Sequence, residues 1–219
     1  MSLGLTLALD GSTYAGSVAL ISERDVIAER QLPLVPKPGR EGRAEQFMPM
    51  VAQCLGDGKA GPRDLARIVC GEGPGSFTSL RVAASIAKGL AVGTGIPLFP
   101  VSSLLLIVAD ANVKDGRWYA VLPAMRGEVF AGLFDKSDSS IEQIAPTSVI
   151  AAEKFVDEVD RANANAIDSE MIPHARGAAR ILDSIISAGK ADIETWEPIY
   201  GRLAEAQVKW EALHGRPLV

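Results

Sequence analysis

The sequence predicts an α/β protein built of two lobes that meet near residue 101. The N-terminus carries three short β-rich runs separated by Gly, Ser and Asp, a pattern typical of antiparallel strands. Strand-like and helix-like segments then alternate, and a second group of strands and helices follows them. We therefore assign residues 1–101 to an N-terminal lobe and residues 102–219 to a reduced C-terminal lobe.

The first lobe begins with three predicted strands, which read LTLALD (5–10), GSVALIS (16–22) and DVIAERQL (25–32). The turn residues between these runs favour antiparallel pairing. Residues 33–43 contain three prolines and two glycines, so they predict an exposed loop. Apolar residues at helical spacing then predict a helix over 44–55, with Pro49 tolerated in its first turns.

The chain continues with the predicted strand RIVCGE (67–72), a glycine-rich turn and a long helix that begins near Ser76. A further strand, IPLFPVS, leads into the apolar helix SLLLIVADA. In the second lobe, WYAVLPA and GEVFAGLFD predict a hairpin that turns at Arg126 and Gly127. Two helices are expected after it, over 151–162 and 173–189.

The composition is that of an ordinary globular protein, with 47% hydrophobic and 22% charged residues in 219. A net charge of -5 provides no overall attraction to nucleic acid or anionic membranes. The N-terminus lacks a basic region, and no charge-free apolar run approaches the roughly 20 residues of a membrane span. Cys54 and Cys70 lack metal-binding or disulfide spacing, so reduced thiols and a cytoplasmic location are expected.

Two glycine turns stand where a phosphate group could bind. The first is DGST, formed by Asp10, Gly11, Ser12 and Thr13 between the first two strands. An acid at a strand end, a tight turn and two hydroxyls suit an anion or a nucleotide-bound cation. The alternative is an ordinary hairpin turn, because the same residue types dominate turns in general.

The second turn is GEGPGS, in which Gly73 and Gly75 allow close backbone approach and Ser76 is the expected helix N-cap. It fits neither the dinucleotide pattern GxGxxG nor the Walker pattern. An anion site and a simple helix cap both remain open. Ser76 is a poor nucleophile candidate, because the GxSxG motif and a nearby histidine are both missing.

Five segments taken together resemble one known family. They occur in order across nearly the whole chain: LALDGSTYAGSVAL, GEGPGSFTSLRVAASIAKGLA, GIPLFPVSSL, RGEVF and WEPIYGR. This combination closely resembles the TsaB (YeaZ) family. The resemblance implies the two-lobed ASKHA fold of actin, hexokinase and Hsp70 ATPases, with a mixed sheet and flanking helices in each lobe. It also implies a non-catalytic partner of TsaD in making threonylcarbamoyladenosine beside the tRNA anticodon.

The chain departs from the catalytic relatives of that family at the positions that would carry chemistry. Those relatives hold a metal with His-x-x-x-His on a helix, where this chain has Ser103 and Ile107. Pro123 stands where the family usually has an acid. The resemblance therefore implies no catalytic residue, no metal and no required cofactor. The two glycine turns become vestigial phosphate loops that bind adenine nucleotides weakly at most.

The two helices of the first lobe have more apolar surface than a sheet-packed helix needs, which predicts a docking surface for another protein. By resemblance the partners are a TsaD-like catalytic subunit, a TsaE-like ATPase and, when the chain is alone, a second copy. A charge at Ala84 or Ala87 is then expected to abolish association. Alternatively, the second lobe or the C-terminal segment covers these helices. The predicted partner-binding residues are Phe47, Met48, Met50, Val51, Cys54, Arg81, Ala84, Ser85, Ala87 and Lys88.

Two further functions from other classes remain open at this stage. One is an active ASKHA enzyme, either a small-molecule kinase or a carbamoyl transferase, supported by the two glycine turns. The other is a metallopeptidase, against which the missing histidine pair counts. Contact with tRNA is expected only through the complex. Near the C-terminus, Arg202, Lys209 and Trp210 are open to two interpretations, contact with RNA or a solvated helix face.

Overall fold

The computed structural model describes residues 4–33, 44–138, 140–201 and 213–215. Over these residues the chain forms two mixed sheets with flanking helices, which confirms the predicted α/β class. The first sheet has the order β3-β2-β1-β4-β5 and the second has the order β8-β7-β6-β9. The strands are β1 Leu5–Asp10, β2 Ser17–Ser22, β3 Asp25–Gln31, β4 Leu65–Gly71, β5 Leu98–Val101, β6 Gly116–Met125, β7 Glu128–Ser137, β8 Ser140–Ala151 and β9 Asn165–Ala166.

The first three strands pair antiparallel, as the sequence predicts, and β4 and β5 then join β1 in parallel. Side chains alternate between the two faces of a strand. In β1, Leu7 and Leu9 point to one face and Ala8 to the other. Because β1 lies in the middle of the sheet and is buried on both faces, Asp10 at its end is enclosed by the protein.

The helices cover both faces of the first sheet. Helices α1 (Phe47–Asp57) and α2 (Phe77–Thr94) pack on the face that carries Leu7 and Leu9. On the opposite face lie α3 (Ser103–Ala111), the 3-10 helix Ala175–Arg180 and α5 (Leu182–Ala188). The first sheet is thus the middle of three layers, and α1 and α2 form one of the two helical layers.

Helix α3 lies between the two sheets. Leu106 and Ala109 belong to the apolar cluster of the first sheet. Leu104, Ile107 and Val108 belong to the cluster that includes the buried side of β6 and β7. The apolar sequence SLLLIVADA therefore reflects a helix that is buried on two sides. Helix α3 follows directly after residue 101 and packs on both sheets. The division of the chain into two lobes at residue 101 remains a prediction.

The second lobe contains the predicted hairpin of β6 and β7, which turns at Arg126 and Gly127 with positive φ at both. The neighbouring strand β8 was not predicted. The expected helix over 151–162 is shorter, since 152–154 form a 3-10 turn and α4 spans Phe155–Arg161. None of the helices among the described residues is long and apolar enough to span a bilayer.

The helix predicted over 173–189 is wrong as a single element. It is divided into the 3-10 helix and α5 at Ile181, whose φ is -123°. The alanines and the glycine of ARGAAR allow the 3-10 helix to approach α3 closely, and a Cβ added at Gly177 would lie 2.7 Å from the Leu106 carbonyl oxygen. Arg180 also donates hydrogen bonds to the carbonyl oxygens of Ala109 and Asp110 at the end of α3.

Candidate functional site in the glycine turns and the outer helix layer

Asp10 is fully buried at the end of β1, and both of its carboxylate oxygens accept hydrogen bonds. Oδ1 accepts from the Ser12 amide at 2.9 Å and from Ser12 Oγ at 2.6 Å. Oδ2 accepts from Ser103 Oγ at 2.6 Å. None of the ion pairs formed between described residues includes Asp10. The carboxylate is therefore held by serines of the chain itself.

Ser103, the first residue of α3, joins three parts of the fold. Its hydroxyl donates to Asp10 and accepts from the Gly73 amide at 3.1 Å. Its own amide donates to the Gly73 carbonyl at 2.9 Å. A Cβ at Gly71 would overlap the Asp10 carboxylate. The end of β1, the glycine loop and α3 thus meet at one buried hydroxyl group, which the sequence did not single out for this role.

The two glycine turns pack directly against each other. The Ser76 amide donates to the Ser12 carbonyl at 2.7 Å, and a Cβ at Gly75 would overlap that same carbonyl. On the other turn, a Cβ at Gly11 would lie 2.5 Å from the Ser79 carbonyl oxygen. Thr13 is half-buried at the outer end of its turn. The glycines therefore serve close backbone contact, and the residues present do not fit a phosphate group between the turns.

Ser76 takes the N-cap position of α2 with extended backbone angles, as predicted. Its side chain does not accept a hydrogen bond from the first turn of the helix. The hydroxyl instead donates to Ser79 Oγ at 3.1 Å. The position of the cap was predicted correctly, whereas the expected side-chain capping bond is not formed.

The C-terminal strap, defined here as residues 196–201, covers the other side of the glycine loop. The Ile199 amide donates to the Glu72 carbonyl at 2.6 Å, and a Cβ at Gly73 would overlap the Ile199 carbonyl. Gly201, with φ of 70°, packs against Phe130 of the second sheet. Sequence reasoning used WEPIYGR only as a family motif, so this structural role was missed.

Burial raises the pKa of two carboxyl groups around the loop. Desolvation raises the pKa of Asp10, and the hydrogen bonds from Ser103 and Ser12 lower it by a smaller amount. The pKa of Glu72 is also raised by desolvation, while its hydrogen bond from the Trp196 indole lowers it. Desolvation thus favours the protonated form of both carboxyl groups.

We expect the Asp10→Asn variant to gain stability relative to the wild type as the pH rises from 4 to 7. A raised pKa means that folding strengthens proton binding. The stabilising contribution of Asp10 is therefore fully present below its unfolded pKa of about 3.9 and is lost as the pH rises through the folded pKa. Thermal unfolding of both proteins across this range tests the sign. A difference in melting temperature that stays constant with pH would contradict it.

Six of the ten predicted partner-binding residues are buried within the chain, so their assignment to an exposed docking surface is corrected. All of them except Ala84 pack in the apolar cluster between the helices and the first sheet. Replacing one of the alanines with arginine would therefore disrupt the fold before it could report on docking. The buried residues are Phe47, Met50, Val51, Cys54, Ala84 and Ala87.

The remaining four predicted partner-binding residues reach the surface. Met48 on α1 is 47% exposed, and Arg81 and Ser85 on α2 are also exposed. Lys88 is half-buried. The strap covers one flank of α2, where Tyr200 contacts Phe77 and Arg81 and the Trp196 ring lies near Lys88. The alternative that the C-terminal segment covers this helix thus holds for that flank.

The outer face of α2, defined here by Ser85, Gly89, Val92 and Gly93, stays uncovered by the described residues. Val92 is 71% exposed. A Cβ added at Gly89 or Gly93 would meet no atom of the described residues within 4 Å. These two glycines also line an open groove of about 460 Å³ beside Gly61–Arg63. Of these four residues, sequence reasoning assigned only Ser85 to partner binding, although a glycine inside a helix is a signal for a packing role.

Ser103, Ile107 and Pro123 stand at the positions where the alternative enzyme functions would require metal ligands or an acid. Ser103 is in the buried network, and Ile107 lies in the core below 2% exposure. Pro123 is exposed in β6. Among the described residues, no three His, Cys, Asp or Glu side chains gather where they could hold a metal ion. The candidate RNA contacts Arg202, Lys209 and Trp210 lie outside the described residues.

Comparison with known proteins gives consistent matches at the levels of sequence and fold. Residues 20–193 match the family model of TsaD, the tRNA N6-adenosine threonylcarbamoyltransferase. The chain is 32% identical to the tRNA threonylcarbamoyladenosine biosynthesis protein TsaB of Bacillus subtilis, over 93% of this chain and 96% of that protein. It is also 32% identical to TsaB of Escherichia coli, over 69% of this chain and 64% of that protein.

The fold resembles that of YeaZ from Pseudomonas aeruginosa. That structure is 23% identical and superimposes with a TM-score of 0.75, over 90% of this chain and all of the other. A second structure is described as a protein with similarity to peptidase YeaZ from the same organism. It is 25% identical with a TM-score of 0.76, over 91% of this chain and all of the other. The two mixed sheets with their helices are compatible with the two-lobed ASKHA fold.

Proposed function

The chain belongs to the TsaB (YeaZ) family, and from this premise we propose that it is a non-catalytic subunit that docks onto a TsaD-like threonylcarbamoyltransferase. Its role lies in the biosynthesis of threonylcarbamoyladenosine in tRNA, as the names of its relatives state for them. The docking surface in this proposal is the outer layer of α1 and α2, centred on the outer face of α2.

The observation that carries the proposal is the pair of unexplained glycines in α2. A glycine in a helix interior is less favourable than alanine by about 0.5–1 kcal/mol. At Gly11 and Gly75 a close backbone contact within the chain explains the residue, but at Gly89 and Gly93 no atom from the described part of the chain does. A glycine-bearing helix face lets another helix approach closely. The glycines thus support a partner that packs on this face.

The glycine turns support the non-catalytic half of the proposal. Group transfer needs several preorganised charges directed at the reacting atoms. Here Asp10 is held by Ser12 and Ser103, and the amide of Ser76 is bonded to the neighbouring turn. These contacts argue against the alternative of a nucleotide-using ASKHA enzyme. The apolar burial of Ile107 argues against the metallopeptidase alternative.

The remaining partners follow from the same proposal. A second copy of the chain is expected to occupy the α1 and α2 layer when the catalytic subunit is missing. A TsaE-like ATPase completes the assembly, and tRNA is reached through the complex. We propose a cytoplasmic location, no required cofactor and at most weak binding of adenine nucleotides.

Size-exclusion chromatography of the chain with its cognate TsaD-like protein tests the proposal. We expect a complex larger than either component, and threonylcarbamoylation of tRNA by the complex but not by this chain alone. Separate elution of the two proteins would contradict docking. Modification of tRNA by the isolated chain would contradict the non-catalytic role.

A further inference from the structure

Helix α2 carries two positive charges and no negative one. Arg81 and Lys88 are the charged residues of its sequence, FTSLRVAASIAKGLAVGT. Neither forms an ion pair with a described residue, whereas Arg24, Arg30 and Arg176 each pair with an acid. Helix α2 is therefore locally positive in a chain whose net charge is -5.

Aromatic side chains hold both cations in place. The Arg81 guanidinium lies 4.1 Å from the centre of the Phe77 ring, and its Nε donates to the Tyr200 hydroxyl at 3.1 Å. The Phe77 and Tyr200 rings contact each other, with centroids 4.5 Å apart. Lys88 Nζ lies 5.7 Å from the centre of the Trp196 ring. The strap therefore supplies one aromatic partner to each cation of α2.

This arrangement leaves hydrogen-bonding capacity on Arg81. Its Nε is used by Tyr200, while Nη1 and Nη2 form no hydrogen bond with the described residues. A guanidinium presents a planar fork that suits a carboxylate. Stacking on Phe77 and the bond to Tyr200 reduce the freedom that the side chain loses on binding. Arg81 is thus an ordered cation with its outer donors available.

We infer that Arg81 and Lys88 form an acid-binding patch that recognises carboxylates of the docked protein, with Tyr200 and Trp196 as positioning residues. This inference rests on the proposed function, because it assigns a chemistry to the partner of the same helix layer. The two cations are seven residues apart, which corresponds to about 10 Å along the helix axis. The partner surface then carries acidic side chains about two helical turns apart.

Charge complementarity favours a protein carboxylate over a nucleic-acid phosphate at this patch. Binding to nucleic acid draws on many simultaneous phosphate contacts, and affinity falls steeply with salt as their number rises. Two cations on a chain of net charge -5 provide few such contacts. Two cations suffice to align one acidic helix face beside α2, because charged pairs contribute orientation and specificity at an interface.

The test compares dissociation constants for the cognate TsaD-like protein at low and high salt. The variants are Arg81→Gln, Tyr200→Phe and their combination, with Lys154→Gln as a matched control. Lys154 is exposed near α4 in the second lobe. Tyr200→Phe keeps the ring and removes only the hydroxyl that accepts from Arg81. Thermal unfolding of each variant shows whether the fold is preserved.

We expect Arg81→Gln to weaken binding about tenfold and to reduce its dependence on salt. Tyr200→Phe should weaken binding a few-fold, and the double variant should bind no worse than Arg81→Gln, because Tyr200 acts through Arg81. Lys154→Gln should bind like the wild type. Additive losses would assign Tyr200 an independent structural role and overturn its positioning role.

Two other results would overturn the patch itself. One is an Arg81→Gln variant that binds with the affinity and salt dependence of the wild type. Docking would then be intact, but the patch would not contribute to it. The other is unchanged protein binding with a loss of tRNA binding by the chain, which would assign the cations to RNA. If the wild-type chain fails to bind the TsaD-like protein at all, the proposed function fails as well, so the two failures are distinguishable.

Discussion

Replacing Ser103 with alanine is expected to lower the free energy of unfolding by about 2–6 kcal/mol. The substitution leaves the Gly73 amide and one oxygen of Asp10 buried without this partner. Each unsatisfied buried group costs about 1–3 kcal/mol. The loss also reaches α3, because the hydroxyl joins that helix to β1 and to the glycine loop.

Urea denaturation of the Ser103→Ala and Ser85→Ala variants measures this effect. Ser85 is the matched control, since it also lies in a helix but is exposed on α2. Alanine has the higher helix propensity, so Ser85→Ala should leave stability unchanged or slightly increased. Equal stability of the two variants would show that the buried hydroxyl does not hold the glycine loop to the fold.

Replacing Gly89 with glutamate is expected to abolish association with the TsaD-like partner while the isolated chain stays folded. A Cβ at this position meets nothing within 4 Å among the residues that the structure describes, which leave room for the side chain. In the complex, the same side chain would bury a charge without a partner, at a cost of about 3–5 kcal/mol. This corresponds to a loss of affinity of at least about 100-fold.

Gly89→Ala provides a second, milder test at the same position. Alanine should stabilise the isolated chain by about 0.5–1 kcal/mol through helix propensity. It should weaken docking, because the added methyl group hinders the close approach of the partner. Ser187→Glu is the matched charge control, because Ser187 is exposed on α5. Affinity and melting temperature are measured for all three variants. If Gly89→Glu binds as tightly as Ser187→Glu, the outer face of α2 is not the docking surface.

Some elements could be predicted from their own residues, because the pattern of apolar residues shows which of their faces are buried. β1 and α3 have the predicted bounds, because an alternating strand and a fully apolar helix are recognisable without their neighbours. β8 escaped prediction for the opposite reason. It is a largely exposed strand at the edge of the sheet, and its pairing with β7 shifts register around Pro146. A proline is tolerated at such a position, but in the sequence it indicates a break.

The candidate site could be predicted only as a set of local turns. Both glycine turns were located correctly, but their mutual contact depends on residues that are distant in sequence, such as Ser12 and Ser76. Periodicity identified the apolar sides of α1 and α2 without showing how much of each the sheet and the strap cover. Ala84 and Ala87 were therefore assigned to the surface, whereas Gly89 and Tyr200 were overlooked.

The most direct test of the account is reconstituted threonylcarbamoylation of tRNA, with this chain omitted, added, or added as the Gly89→Glu or Asp10→Asn variant. If the chain acts by docking, modification by the TsaD-like protein requires this chain, is lost with Gly89→Glu and is retained with Asp10→Asn. Loss of modification with Asp10→Asn and full activity with Gly89→Glu would place the essential chemistry in the glycine turns and contradict a docking role.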